Sequence, residues 1–186
     1  MVKKLVLDAG HGGKDSGAVG NGLKEKDLTL RIVKGIRDEL KNYDGVEVHL
    51  TREGDTYPSL TDRAKFANNL KADYFCSVHI NAGGGTGYET FRQEGVESTK
   101  TVNYQKVVTE AIMARVKPFG VKPHGELLKE HNLSVLRNTS MSAILTESLF
   151  IDSNDAKLLK NDAFIEAVIL GHVDGFVEVL GLKRKA

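Results

Sequence analysis

Apolar residues recur along this chain with two spacings, one of strands and one of helices, and the two alternate from end to end. The run Lys4-Leu5-Val6-Leu7-Asp8 predicts a first strand, followed by a glycine-rich loop reaching Gly22. From Lys26 to about Asn42, Leu28, Ile32, Ile36 and Leu40 recur every four residues with charges between them, the signature of an amphipathic helix. Gly45 to Thr51 alternates like a half-buried strand. Pro58 opens a second helix, proline being suited to a first turn, with Leu60, Ala64, Ala67 and Leu70 on its inner face. Asp73 to Ile80 is the most continuously apolar run and predicts a central strand. Gly87 to Arg92 reads as a strand, and Ser98 to Val116 as a long helix ending before Pro118. Pro118 to Leu133 is a loop segment rich in turns and charge. Ser134 to Arg137 and Ala143 to Leu149 read as further strands. Ser153-Asn154-Asp155 caps a short helix, and Asp162 begins a last amphipathic helix ending near Leu180.

This alternation predicts an α/β fold: a single three-layer domain with a mostly parallel twisted sheet flanked by helices. A chain of 186 residues suits one such domain, assigned to residues 1–182, with 183–186 as a basic tail or the start of a linker. Apolar and charged contents of 40% and 27% are globular values and exclude disorder as a whole-chain description. The net charge of +1 gives no basis for nucleic-acid binding. No apolar stretch approaches the ~18 residues that insert into a membrane. The apolar part of the N-terminus is shorter than the ~7–15 residues of a signal peptide's core, so no signal peptide is expected. The lone Cys76 has no partner for an internal disulfide and sits inside a strand-like run, which predicts a buried thiol rather than a nucleophile.

Three polar residues lie at the ends of these elements. His11 follows the first strand, flanked by Gly10 and Gly12-Gly13; Glu25 stands at the mouth of the first helix; His79 closes the central strand. Strand ends and helix starts of an α/β sheet converge on one edge, where sites are built. Two imidazoles and a carboxylate there match a catalytic zinc site, which leaves one position open for water. Glu147, closing Ala143-Ile144-Leu145-Thr146-Glu147, is placed to act as a base. Each residue taken singly has a plainer reading. His11 could sit in an anion-binding glycine loop, although neither phosphate-loop spacing is present. Glu25 could simply complement a helix N-terminus, a role open to Asp27 as well. Among the other histidines, His49 is expected to face solvent, His172 to lie at a surface or edge, and His124 and His131 to fall in the loop segment.

Taken together, Asp8-Ala9-Gly10-His11-Gly12-Gly13, Asp15-x-Gly17-Ala18, Gly22-Leu23-x-Glu25-Lys26, Ser77-Val78-His79-x-Asn81-Ala82 and Ala143-Ile144-Leu145-x-Glu147 resemble the zinc-dependent N-acetylmuramoyl-L-alanine amidases of the amidase-3 type. The blocks occur in the family's order from Val2 to about Leu180. The resemblance implies one Zn2+ held by His11, Glu25 and His79, with Glu147 as catalytic carboxylate. It also implies peptidoglycan as substrate, cleaved by zinc-activated water at the amide joining N-acetylmuramic acid to L-Ala. Asn81 and His124 are expected near the stem peptide, with the segments 83–85 and 118–133 flanking the cleft. The chain departs from the family pattern at Met141-Ser142, Ser148-Leu149-Phe150 and His124-Gly125, which bears on the shape of the groove. Three other functions compete: a non-catalytic wall-binding module of the same fold; another zinc amide hydrolase, from which the missing H-E-x-x-H removes the commonest peptidase layout; and a structural or nucleotide-binding α/β domain, weakened by the missing phosphate motifs. The setting implied is a monomer acting on the cell wall. It would be either an endolysin released through a holin or a domain excised from a secreted enzyme, with a wall-binding module C-terminal to this chain.

Overall fold

The computed structural model describes residues 2–186. The apolar N-terminal run forms β1 (Lys3–Ala9), and the glycine-rich loop carries a small hairpin, β2 (Val19–Gly20) and β3 (Leu23–Lys24), which delivers the chain into α1 (Glu25–Leu40). There follow β4 (Tyr43–Asp44), β5 (Val46–Leu50), α2 (Leu60–Asn69), β6 (Tyr74–Asn81), β7 (Tyr88–Gln93) and α3 (Thr99–Val116). The remainder comprises β8 (Pro123–His131), α4 (Ser134–Arg137), β9 (Ser142–Phe150), α5 (Ala156–Leu159), α6 (Asp162–Leu180) and β10 (Lys183–Arg184).

Six strands form one sheet in the order β5-β1-β6-β9-β7-β8. The pairs β5/β1, β1/β6, β6/β9 and β7/β8 are parallel, and the β7/β9 pair alone in this sheet is antiparallel. The expected single α/β domain with a mostly parallel sheet between helices is the observed architecture, and β6 is central as its apolar run predicts.

Side chains alternate across a strand, and here the alternation sorts two cores. Leu5, Leu7, Cys76, Val78, Ile80 and Ile144 face a thick layer built from α1, α3 and α6. Val6, Phe75, Ala143 and Leu145 face a thin layer in which α2 packs on α4, contributing Ala67, Val135 and Leu136. On the thin side each strand turns polar toward its C-terminal end: Val6 gives way to Asp8, Phe75 to Ser77 and His79, and Leu145 to Glu147. The apolar half of this face is covered, and the polar half is left as the floor of a site.

Several expectations are corrected. Residues 123–131 are not a loop but β8, an edge strand whose charged residues face solvent on both sides and so hide its period. Ser134–Arg137 is a helical turn rather than a strand, because adjacent Val135 and Leu136 are both buried in the same thin core. Leu60 is 53% exposed instead of lining the inner face of α2, where the inward position one turn before Ala67 belongs to Arg63. His172 is fully buried between α6 and β9, not at a surface, and His49 is half-buried beside Glu47. Asp27 does not cap α1 through its side chain. The basic tail is exposed, as expected, but pairs as β10 with β4. Cys76 is buried as expected, and burial pushes its thiol far above the ordinary range.

Candidate metal centre

Glu25 is the first residue of α1, where a helix has unpaired N–H groups and favours negative charge. Its carboxylate turns inward, 4% exposed, and accepts backbone N–H bonds from Ala18 to Oε2 (2.9 Å) and from Ile80 to Oε1 (3.0 Å). Those two bonds fix the plane of the group. His11 Nε2 lies 3.1 Å from Oε2 and His79 Nδ1 lies 2.9 Å from Oε1. The two imidazoles meet edge to face with centroids 5.0 Å apart. One ligand atom from each of His11, Glu25 and His79 lies within 4.8 Å of the others, a donor set for a single metal ion.

Glycines make room for these rings. A Cβ on Gly10 would stand 2.4 Å from His79 Cε1, and one on Gly17 would stand 2.6 Å from both Glu25 Oε2 and His11 Cδ2. His11 itself adopts φ of +60°, uncommon for a residue with a side chain. Two buried arginines hold that backbone. Arg63 donates to the carbonyls of Ala9 (2.6 Å) and His11 (2.7 Å), and Arg52 to those of Ala9 and Gly10 (both 3.0 Å) and of Lys26 (2.7 Å). His11 Nδ1 lies 2.9 Å from Asp15 Oδ2. A carboxylate only accepts, so Nδ1 carries the proton and Nε2 is aimed at the centre.

The electrostatics favour a cation. Burial works against charge on His11, but the hydrogen bonds and charges of Glu25 and Asp15 outweigh it and raise its pKa to about 9. Burial likewise opposes charge on His79, and Glu25 and Glu147 together raise it. Burial alone would lift the Glu25 carboxyl, yet the two histidines hold it well below the usual carboxylate range. A metal ion would take the place of those protons.

Glu147 stands beside His79 in the parallel β6/β9 register and opposite Glu89 on β7. Its Oε2 is shielded from water and has no hydrogen-bond partner. Burial, reinforced by the charges of Glu25 and Glu89, pushes its pKa up to about 8 even though His79 pulls it down. Asn81, two residues beyond His79, donates to Glu89 Oε1 (2.5 Å), and Lys129 pairs with the other oxygen, Oε2. His124 lies against Gly85 and packs at a tilt on Phe150 with centroids 4.7 Å apart, so the glycine cluster and β8 do meet. His131 is exposed near the far end of β8. A cavity of about 190 Å³ adjoins the histidines, lined on its outer side by Tyr57, Pro58 and Leu60.

The structure thus brings together the four residues singled out from the sequence. Sequence reasoning left Asp8, Asp15, Arg52, Arg63, Ser77 and Glu89 without roles. A signal existed for two of them: Asp8 and Ser77 are polar residues on the buried parity of otherwise apolar strands, where an unpaired polar group is costly.

An α/β sheet with two histidines and a carboxylate gathered at its C-terminal edge, able to hold one metal ion, and a shielded glutamate beside them has the layout of a hydrolase site. Residues 5–177 match the N-acetylmuramoyl-L-alanine amidase family. The endolysin of Bacillus phage SPP1 is 53% identical over all of this chain and 69% of its own length. The amidase CwlM of Bacillus licheniformis is 43% identical over 98% of this chain and 71% of its own length. The crystal structure of the N-acetylmuramoyl-L-alanine amidase from Clostridium difficile 630 superposes with a TM-score of 0.89 at 33% identity, covering 97% of both chains. The chain belongs to the N-acetylmuramoyl-L-alanine amidases, enzymes that act on peptidoglycan.

Proposed function

We propose that this amidase works with one zinc ion held by His11, Glu25 and His79, and that Glu147 carries the proton between water and the leaving amine. Nitrogen and carboxylate donors in a set of three suit zinc, with a position left for substrate or water. When bound, zinc supplies Lewis acidity that lowers the pKa of water and polarises the scissile carbonyl. The observation that carries the role of Glu147 is its partnerless, shielded oxygen in register with His79.

Glu147 takes a proton from the attacking water and returns it to the nitrogen of L-Ala as the amide to the N-acetylmuramic acid lactyl group breaks. A residue that does both works best when its pKa is near the working pH. Burial, Glu25 and Glu89 raise the Glu147 carboxyl to about 8 against the pull of His79 and His11, which lets it hold a proton near neutral pH. Glu25 is fixed by two backbone N–H groups and His11 by Asp15, so neither ligand must reorganise during turnover. Asn81 and His124 are assigned to the stem peptide.

Replacing Glu147 with Ala is expected to keep zinc and fold while turnover on purified peptidoglycan falls by ~10²–10⁴-fold, the usual contribution of a general acid–base group. His79→Ala should lose metal and activity together, and chelation followed by zinc should abolish and restore wild-type activity. Loss of zinc from Glu147→Ala would make Glu147 a ligand instead. Chelator-resistant hydrolysis would remove the metal from the mechanism.

A further inference from the structure

One hydrogen bond of the site is decided by a residue that does not touch His79. His79 Nε2 lies 3.1 Å from Ser77 Oγ, and Ser77 Oγ lies 2.6 Å from Asp8 Oδ2. Ser77 and Asp8 are 0% and 1% exposed, on adjacent strands in register, so water does not intervene. Asp8 is a carboxylate anchored by three donors: Ser77, Thr51 Oγ1 at 2.6 Å and Arg63 Nη1 at 2.7 Å.

We propose that Asp8, acting through Ser77, is the positioning group that selects which ring nitrogen His79 presents to the metal. This rests on the reading of His79 as a ligand. A serine hydroxyl has one hydrogen, and a carboxylate paired with an arginine accepts only. The Ser77 hydrogen is therefore committed to Asp8, and toward His79 the same oxygen can only accept. Nε2 must then carry the ring proton. Nδ1, 2.9 Å from Glu25 Oε1, is then the nitrogen that gives up its proton to a bound metal and presents a lone pair at the centre.

Without Asp8 the preference would vanish. Ser77 could then donate to Nε2, and Nδ1–H would hydrogen-bond to Glu25 in a closed pair with no lone pair for a metal. The purpose of placing a charged carboxylate below the site follows from this. His11 is oriented by Asp15 directly; His79, deeper in the sheet, is oriented through a hydroxyl.

The test uses the full chain, zinc itself as probe, and 15N-labelled histidine. In the zinc-loaded wild type the His79 ring, identified by its absence in His79→Ala, should show a protonated Nε2 that exchanges slowly with water. Ser77→Ala removes the acceptor and little volume. It should bind zinc 10–100-fold more weakly in competition with a chelator, the usual loss when such a partner of a ligating histidine is removed. Its metal-free melting temperature should stay within a few degrees of wild type, and Ser77→Thr, which restores a hydroxyl, should recover most of the affinity. Zinc affinity of Ser77→Ala within twofold of wild type would overturn the proposal while leaving the metal centre standing. So would a zinc-loaded wild type whose His79 is protonated at Nδ1, a result that needs no variant to fold. If His79→Ala bound zinc as tightly as wild type, the ligand assignment itself would fall, and this proposal with it.

Discussion

At the scale of single residues, the chemistry of this amidase divides between groups a sequence displays and groups it conceals. His11, Glu25, His79 and Glu147 are visible because they interrupt or end apolar runs, where a polar residue is unexpected. Asp15, Arg52 and Arg63 are not, since charged residues in loops and first turns are ordinary and only the fold shows that both arginines are 2–3% exposed. The substrate contacts proposed for Asn81 and His124 belong to this scale as well. Asn81 shares Glu89 with Lys129, one strand from Glu147, whereas His124 sits farther along the rim against Phe150. Asn81→Ala and His124→Ala are each expected to raise KM more than they lower kcat on intact peptidoglycan, the pattern of lost uniform binding. Unchanged kinetics in both would place the stem peptide elsewhere.

Elements were legible where one period dominated. The helix spacing of Leu28, Ile32, Ile36 and Leu40 and the apolar run of β6 specify their elements within two residues, and Asp162–Leu180 matches the expected span. The period fails in β8, which has no buried face to mark, and in α4, which is too short to show one. What periodicity also omits is how closely elements approach. Gly171 and Gly175, one turn apart on α6, lie against α3: a Cβ on either would stand 2.6 and 2.7 Å from the Cα atoms of Ile112 and Val108. A helix interior ordinarily gains ~1 kcal/mol when glycine becomes alanine. Here the added methyl meets backbone, so Gly171→Ala and Gly175→Ala are expected to lose about 1–3 kcal/mol in urea unfolding. Gly35→Ala on α1 meets the Ile169 side chain alone, Cδ1 at 2.4 Å with Cγ1 and Cγ2 at 3.1 and 3.3 Å, which can shift where backbone cannot, and should lose less than either. An equal loss for all three would mean that the α3/α6 contact yields as readily as a side chain does.

For the whole molecule, the buried His172 ties stability to acidity. Its Nδ1–H donates to the Val168 carbonyl (2.8 Å) and its Nε2 accepts from Thr146 Oγ1 (3.2 Å), so the neutral ring is satisfied, and burial lowers its pKa to about 4. Above pH ~6.5 the ring is neutral in folded and unfolded chains alike and pH has no leverage through it. Below that the unfolded chain binds a proton the folded one refuses, so stability falls as pH drops toward 4. Between pH 7.5 and 4.5 the wild type should lose about 2–3 kcal/mol more than His172→Gln, as read from urea midpoints. Parallel losses would show that the ring protonates without opening the core.

Among the described residues no helix is long and apolar enough to cross a membrane, so the fold spends its apolar residues on the two faces of one sheet. That economy has a consequence for accuracy in folding. His79 is flanked by Val78 and Ile80, both buried in the thick layer, and Glu147 is set by its pairing with the same strand. A slip of one residue in β6 would drive the imidazole among the long helices and leave valine at the cleft. The chain cannot misalign its central strand and still assemble its ligands. With the proposed ligands, metal retention would serve as a proofreading signal, reporting that the sheet was laid down in the correct frame.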